Sequence, residues 1–196
     1  MKTLDDLIKK YFSEFRNESE CIDKTNTFFN EKYLLPNKYS EFSFPFIPGM
    51  IYSFSYNTIT QISKKRKFIN RNPIFLFLNY SKDSEGDNIL YGIDLSTIPN
   101  TIREIILERI WNLFYKTIEE NTNKLKEPLP LTSSNLEGLL VGTGFKRSIF
   151  GFKYKYFSNI KEVKPGDWCK IPFLELNTFE GQSSFEIYKE YKLKLK

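Results

Sequence analysis

Histidine and alanine are absent from this chain of 196 residues, and cysteine occurs only twice. The lack of histidine excludes Ser-His-Asp and Cys-His catalysis, His-ligated zinc and His-ligated haem. Cys21 and Cys169 are too few for a four-cysteine zinc site or an ordinary iron–sulfur cluster. We expect them to be free thiols, because they lie far apart in a chain that starts without an export signal. We therefore predict neither a metal nor a cofactor.

Long apolar runs are also missing. The longest, residues 73–78, has the length of a strand and is far shorter than the roughly 18 residues of a membrane span. The first six residues are polar and acidic, and no apolar signal-peptide segment follows them. These features predict a soluble cytoplasmic protein without a membrane partner.

Aromatic residues and lysine are abundant instead. Phe occurs 19 times and Tyr 12 times, which excludes a disordered chain because such chains lack apolar side chains. The 29 Lys and Arg residues exceed the 24 Asp and Glu residues, and the net charge of +5 suits an anionic partner such as nucleic acid. Because the lack of alanine indicates an AT-rich genome, codon usage accounts for part of the lysine content.

The N-terminal 47 residues carry their own pattern. Leu4, Ile8 and Phe15 belong to one apolar face of a helix that Thr3 caps. Residues 17–26 are interpreted as a break, residues 28–35 as a short second helix, and residues 36–48 as an extended aromatic and proline-rich stretch. We predict that residues 1–47 form a helical and extended assembly arm, whose candidate partner-binding residues are Phe12, Phe15, Phe42, Phe44 and Phe46.

Residues 48–196 are predicted to form the core domain. Residues 50–56 alternate Tyr or Phe with Ser, residues 74–78 are continuously apolar, and residues 89–95 form a third strand pattern. Polar connections between them indicate an antiparallel meander. With another strand or two, such a meander closes into a small SH3-like barrel.

A long helix follows this meander. Pro99 and a Thr101/Glu104 capping box mark its start, and the pattern ends near residue 121. Its apolar side includes Ile105 and its polar face includes Arg103. Residues 169–176 are interpreted as a later strand. The predicted fold class is α+β: a small antiparallel SH3-like barrel or sheet, one long packed helix and a helical N-terminal extension.

Catalytic patterns are weak. Asp83, Glu85 and Asp87 alternate in a turn-rich segment, but the complete EF-hand pattern is missing, and a solvated hairpin explains them better. Residues 138–147 place glycines before two bases without the Gly-Lys-Ser/Thr ending of a phosphate loop. The sequence therefore predicts a protein that is not an enzyme.

Two basic stretches are candidates for binding nucleic acid. One is a run of four bases on a predicted loop between strands: Lys64, Lys65, Arg66 and Lys67. The other mixes bases with aromatic residues and contains Lys146, Arg147, Lys153 and Lys155. For the first stretch the alternative is a solvated loop in a lysine-rich chain. For the second it is a strand with one buried aromatic face and one solvated lysine face. Both alternatives stay open.

Several motifs occur in a fixed order. Pro48-Gly49 precedes alternating aromatics, Asn72-Pro73 leads into the apolar strand, and Gly92-Ile93-Asp94-Leu95 precedes the long helix, with Trp168 much later. This order, over about residues 48–192, resembles a family of small proteins of tailed bacteriophages, described as structural or as associated with the DNA end in the virion. A Leu-Pro-Tyr-Tyr-Asp-like segment of that family is missing at residues 67–72, and residues 1–47 have no counterpart in this resemblance.

The resemblance implies a non-enzymatic virion component, at the head-to-tail connection or on the packaged DNA end. Its implied partners are other virion proteins, in an oligomeric ring or connector, and the DNA backbone. Its implied location is the virion or the host cytoplasm. The alternative is a free DNA-binding accessory protein of the infected cell that uses a basic loop on a small β-barrel.

Overall fold

A computed structural model describes residues 3–35, 46–57, 72–120 and 149–175 of the chain. Three α-helices occur within these ranges: α1 (Leu4–Phe12), α2 (Glu18–Phe29) and α3 (Asn100–Glu120). Five strands accompany them: β1 (Ile51–Tyr56), β2 (Ile74–Lys82), β3 (Asn88–Asp94), β4 (Ile149–Lys153) and β5 (Phe157–Val163). The predicted mixture of helix and antiparallel sheet is thus confirmed.

The five described strands form one sheet in the order β4-β3-β2-β1-β5, with antiparallel pairing throughout. The predicted meander is confirmed as β1, β2 and β3. The strands β4 and β5 lie at opposite ends of this order, yet only the 3-10 turn Tyr154–Tyr156 separates them in the chain. The backbone N–H of Lys153 in β4 donates to the hydroxyl of Tyr56 in β1 at 3.4 Å. The sheet therefore curls and brings its two ends near each other.

Aromatic rings fill the inside of this curl. Phe54 stacks on Phe157, with ring centroids 3.9 Å apart and planes 10° apart. Phe75 meets Phe54 edge-on at 5.6 Å and Phe152 at 5.3 Å. Edge-to-face and offset arrangements of this kind add to the free energy gained by burial. The alternating Tyr/Phe pattern of β1 thus contributes Phe54 to a layer of rings that β2, β4 and β5 complete.

The helix α3 buries most of the side that the sequence predicts to be apolar: Ile106 and Ile110 are fully buried, and Ile102 and Leu113 pack against the core. Ile105, assigned to the apolar side, is 42% exposed, whereas Arg103, assigned to the polar face, is 2% exposed. Trp111 is buried and its ring lies 6.2 Å from that of Trp168. Only the placement of Ile105 and Arg103 is wrong, because Arg103 has carbonyl partners inside the protein, which a periodicity argument does not include.

Residues 169–173 of the segment predicted as a strand at 169–176 belong instead to a 3-10 helix, Pro165–Phe173, and residue 176 lies outside the described residues. Proline occupies its first turn, where no N–H donor is needed. Trp168 is fully buried, and its indole N–H donates to the carbonyl of Val163 at 2.9 Å. This C-terminal 3-10 helix contacts α1, α2 and α3, so it fastens the three helices together.

The N-terminal helices differ in how well the sequence predicted them. In α1 the expected cap is confirmed, since Thr3 and Asp6 form a reciprocal capping box. The break predicted at residues 17–26 is wrong, because α2 begins at Glu18 and is capped by the Asn17 side chain. A rare π-helical turn, Asn30–Leu34, then extends α2.

These helices contact the rest of the described core. The backbone N–H of Asp5 donates to Glu108 of α3 at 3.2 Å, and the hydroxyl of Ser53 in β1 donates to the carbonyl of Tyr33 at 3.1 Å. Leu4 and Phe29 are fully buried. The domain boundary after residue 47 and the role of residues 1–47 as an assembly arm stay predictions.

Both cysteines are buried free thiols, and burial raises the pKa of each. Among the helices that the structure describes, none has the length and apolar character of a membrane span.

Candidate nucleic-acid interface

Six of the eight predicted nucleic-acid-binding residues lie outside the described residues: Lys64, Lys65, Arg66, Lys67, Lys146 and Arg147. Their role stays a prediction. The other two, Lys153 and Lys155, are described. Lys153 ends β4 and Lys155 lies in the following 3-10 turn, so both extend from one end of the sheet.

Lys153 and Lys155 are held by the acidic hairpin between β2 and β3. The Nζ atom of Lys153 lies 2.7 Å from Asp83 and 3.1 Å from Glu85, and that of Lys155 lies 2.5 Å from Asp87. These hydrogen bonds lower the pKa of both aspartates and raise the pKa of both lysines. Three carboxylates face two ammonium groups, so the group has a formal charge of −1, which does not attract phosphate.

Within the part of the chain that the structure describes, the same hairpin carries the one group of carboxylates close enough to suggest a cation site. The carboxylates of Asp83, Glu85 and Asp87 lie within 4.8 Å of one another. However, the second oxygen of Asp83 already accepts the backbone N–H groups of Glu85 and Asp87, each at 2.9 Å. Two lysines neutralise most of the negative charge of the three carboxylates. The cluster is therefore explained by ion pairs that fasten the hairpin to β4 and its following turn.

A second group of lysines surrounds Asp167 in the C-terminal 3-10 helix. One carboxylate oxygen of Asp167 accepts from the Lys32 ammonium at 2.7 Å and from the Tyr33 hydroxyl at 2.6 Å. The other accepts from Lys170 at 2.8 Å. Burial raises the pKa of Asp167, but the hydrogen bonds from Lys170, Lys32 and Tyr33 outweigh it, and the pKa falls below its usual value. Asp167 is therefore ionised at neutral pH.

Two more lysines extend this group. The ammonium of Lys161 donates to the carbonyls of Lys32 and Leu35, each at 2.9 Å, and so satisfies the C-terminal end of the π-helical turn. Lys164 is well exposed and pairs with Glu162 at 3.1 Å. We call these four residues the lysine cluster: Lys32, Lys161, Lys164 and Lys170. Against the two acids Asp167 and Glu162, its formal charge is +2, opposite in sign to that of the hairpin.

Aromatic rings adjoin the lysine cluster. The Lys170 ammonium lies 3.6 Å from the ring centroid of Phe28 and 5.7 Å from that of Tyr11, within cation–π range. Tyr11 in turn lies 6.0 Å from Phe173. Phe12, a predicted partner-binding residue, stacks on Phe173 with centroids 5.6 Å and planes 15° apart, and is 37% exposed.

The other predicted partner-binding aromatics are placed differently. Phe15 meets Tyr11 edge-on at 5.0 Å and is partly buried. Phe46 is buried, with its ring 4.7 Å from Tyr52 and 5.5 Å from Phe77. Phe42 and Phe44 lie outside the described residues. Of the described members of this set, Phe12 thus exposes the most ring surface.

The buried Arg103 was not predicted as an important residue. Its guanidinium donates to the carbonyl oxygens of Ile98, at 2.7 Å, and Ile171, at 3.1 Å, and also to that of Leu174. Burial lowers its pKa to about 10, while nearby Asp94 opposes this shift. Arg103 joins the start of α3 to the C-terminal 3-10 helix that carries Asp167 and Lys170.

No sequence signal indicated the lysine cluster. Lys32 and Asp167 are separated by 135 positions in the chain. The packing of α2 against the C-terminal 3-10 helix, and of the π-helical turn against β5, brings these side chains together.

The fold and the lysine cluster together define a small mixed helix-and-sheet protein with a positively charged surface. Among known protein families, the model described as "Phage T4 terminal DNA protecting protein" matches residues 3–193. The chain belongs to this bacteriophage family. A comparison with curated proteins and one with solved structures each found no match.

The match confirms the resemblance to a phage family associated with DNA ends, and it also extends it. Residues 1–47 had no counterpart in the resemblance, whereas the family match begins at residue 3. The helices α1 and α2 therefore belong to the family's shared sequence.

Proposed function

We propose that this protein is a non-enzymatic bacteriophage protein that binds the ends of linear phage DNA and shields them from degradation. The observation that carries the proposal is the family match over residues 3–193, because the family is described by the protection of terminal DNA. Protection needs no catalysis, since a bound protein blocks the access of a nuclease to the end. The net charge of +5 supports binding to a polyanion.

We propose further that the curled sheet closes as an SH3-like barrel. The strand order places β5 beside β1, and a single 3-10 turn joins β4 to β5. Both features support closure. The predicted basic loop at residues 64–67 falls between β1 and β2 in the sequence, and we propose it as a further contact with the phosphate backbone.

Its proposed location is the virion, near the head-to-tail connection, where it contacts other virion proteins in a ring or connector as well as the DNA. The alternative is a free accessory protein of the infected cell, which the lysine cluster supports equally. Mass spectrometry of purified particles separates the two. A virion component is present at a fixed copy number, and a free protein is absent.

Protection itself is tested with an exonuclease that degrades duplex DNA from its ends. We expect saturating protein to preserve linear duplex DNA, with less protection as salt rises, because phosphate contacts release counterions. The control is digestion of closed circular DNA by an endonuclease, which the protein is expected not to slow. Equal degradation of linear DNA with and without the protein would overturn the proposed function.

A further inference from the structure

One exposed ring and a set of cations lie on adjoining parts of the same surface. Phe12 stacks on Phe173, Phe173 contacts Tyr11, and Tyr11 lies beneath the ammonium of Lys170. Lys170 shares the carboxylate of Asp167 with Lys32. The contacts are continuous from the exposed ring on α1 to the lysine cluster.

A DNA end differs from the interior of a duplex in that its strands terminate and the flat face of its last base pair is unstacked. The phosphodiesters that flank this base pair are the same as elsewhere. Aromatic side chains stack on exposed bases without regard to sequence, and lysines pair with phosphates. A surface that selects an end therefore needs a solvent-exposed ring beside a positive patch.

We propose that this surface receives the end of a DNA duplex, with the terminal base pair on Phe12 and the neighbouring phosphates on Lys32 and Lys164. This inference rests on the proposed function and names the part of the chain that carries it. Lys32 and Lys164 are the more exposed lysines of the cluster, at 46% and 66% for their side chains. Lys170 is more buried and joins the rings to the cations.

The backbone at this place supports the assignment. Lys32 and Tyr33 lie in the π-helical turn, where the N–H of Leu35 bonds to the carbonyl of Asn30 at 2.9 Å. Such turns are rare and occur frequently at functional sites. Here the wide turn directs two successive side chains onto Asp167, and this holds Lys32 in place beside the rings.

Charge separates this surface from the other described lysine pair. The lysine cluster has a formal charge of +2 with its acids, whereas Lys153 and Lys155 face three carboxylates and give −1. A polyanion is attracted to the first and not to the second. This complementarity favours DNA over an apolar protein segment as the occupant of the exposed ring and its cations.

The ring is tested with Phe12→Leu, which keeps an apolar contact to Phe173 and removes the aromatic face. Binding is measured to a short blunt-ended duplex and, separately, to closed circular DNA. We expect at least about a 5-fold loss of affinity for the blunt duplex and no change for the circle. The matched control is Tyr80→Leu, because Tyr80 is a 51% exposed aromatic on β2 outside this surface.

The cations are tested by salt titration of the blunt duplex. The double variant Lys32→Gln with Lys164→Gln should reduce the log–log salt slope by about two, one unit for each lost phosphate contact. Lys164→Gln alone, which leaves Asp167 and its partners untouched, should reduce it by about one. The control is the variant Lys9→Gln on α1. Lys9 is exposed and pairs with Asp5, and we expect this variant to keep the wild-type salt slope.

The outcomes separate this inference from the proposed function. If the wild-type protein fails to protect linear DNA, the proposed function falls and this surface falls with it. If it protects, but Phe12→Leu keeps its affinity for blunt ends or the lysine variants keep the full slope, only the surface is wrong. If Phe12→Leu instead weakens binding to another virion protein and leaves DNA binding intact, the surface is a protein contact and the inference is overturned.

Discussion

The hydroxyl of Tyr33 donates a 2.6 Å hydrogen bond to the carboxylate of Asp167, which lies 134 positions later in the chain. Burial, followed by this contact with a carboxylate, raises the pKa of Tyr33 well above its usual value. The bond joins the π-helical turn of the N-terminal segment to the C-terminal 3-10 helix. Lys32 and Lys170 complete the arrangement, so one carboxylate organises side chains from both ends of the described chain.

We expect Asp167→Asn to lower the free energy of unfolding by about 1–3 kcal/mol, because it leaves Lys32 and Lys170 without their charged partner. In a chain of this size each kcal/mol corresponds to about 2–4 °C in melting temperature. The measurement is thermal unfolding at pH 7. As a control, Asp5→Asn removes an exposed pair with Lys9 and should leave the melting temperature unchanged.

The same variant gives a pH prediction. The pKa of Asp167 is lower in the folded than in the unfolded chain. Its contribution to the free energy of unfolding is therefore complete at a pH above the unfolded pKa of about 3.9, and it is lost as the pH falls below that value. Wild type and Asp167→Asn should therefore differ in stability at pH 6 and converge towards pH 3. A constant difference over this range would contradict an ionised Asp167 as the cause.

Arg103→Lys should destabilise the fold even though it keeps the charge. The guanidinium satisfies the carbonyls of Ile98, Ile171 and Leu174 at once, and an ammonium does not match this forked geometry. A buried acceptor left unsatisfied costs about 1–3 kcal/mol. The check is chemical denaturation, with Arg109→Lys on the same helix as the comparison. Equal losses in the two variants would show that the carbonyl contacts of Arg103 are unimportant.

Gly92 in β3 is required by close packing. A Cβ atom at this position would lie 2.2 Å from the carbonyl oxygen of Leu76 and 2.5 Å from the Phe75 ring. We expect Gly92→Ala to cost about 1–3 kcal/mol or more, because the paired backbone of β2 has to shift. Gly166→Ala is the matched control, since a Cβ there meets nothing within 4 Å. Similar melting temperatures for the two variants would refute the predicted clash.

Local patterns made part of this fold predictable from sequence. The meander and α3 were predicted within a few residues of their bounds, because alternation and helical spacing are properties of neighbouring residues. The helix α2 was missed because its buried side consists of Cys21, Thr25 and Phe29 at four-residue spacing, and only Phe29 is strongly apolar. The C-terminal 3-10 helix was missed because its apolar residues read as a strand.

The site was less predictable than the fold. The four bases at residues 64–67 stand out because they are consecutive, whereas Lys32 and Lys164 lie in ordinary mixed sequence. Their proximity depends on long-range packing between α2 and the C-terminal 3-10 helix. Lys153 appeared equivalent to the other bases in sequence, yet pairing across the sheet places it against three acids.

Deleting residues 1–47 tests the predicted domain boundary. The deletion removes the fully buried Leu4 and Phe29 and the buried Tyr33. Truncating a large core side chain costs about 2–5 kcal/mol, and a domain has only about 5–15 kcal/mol in total. We therefore expect residues 48–196 alone to lose cooperative thermal unfolding. A soluble fragment that still melts cooperatively would support the separate assembly arm, and its incorporation into particles would then be the next measurement.

The two sequence-predicted basic stretches should respond differently to neutralisation. Replacing residues 64–67 by Gln removes four charges from the predicted loop between β1 and β2. If the loop contacts phosphate, the log–log salt slope of DNA binding flattens by roughly two to four units, since each contact releases counterions. No base-edge contact is implied, so duplexes of different sequence should give the same result.

Replacing Lys153 and Lys155 by Gln supplies the comparison for that loop variant. Their ammonium groups are engaged by Asp83, Glu85 and Asp87, and the −1 charge of the group repels a polyanion. We expect this double variant to keep the wild-type salt slope. It should nevertheless lower the melting temperature, because the hairpin loses its ion pairs to β4 while the three acids remain close together. A flattened slope for Lys153→Gln with Lys155→Gln would show that these two lysines contact phosphate. An unchanged slope for the loop variant would show that residues 64–67 do not.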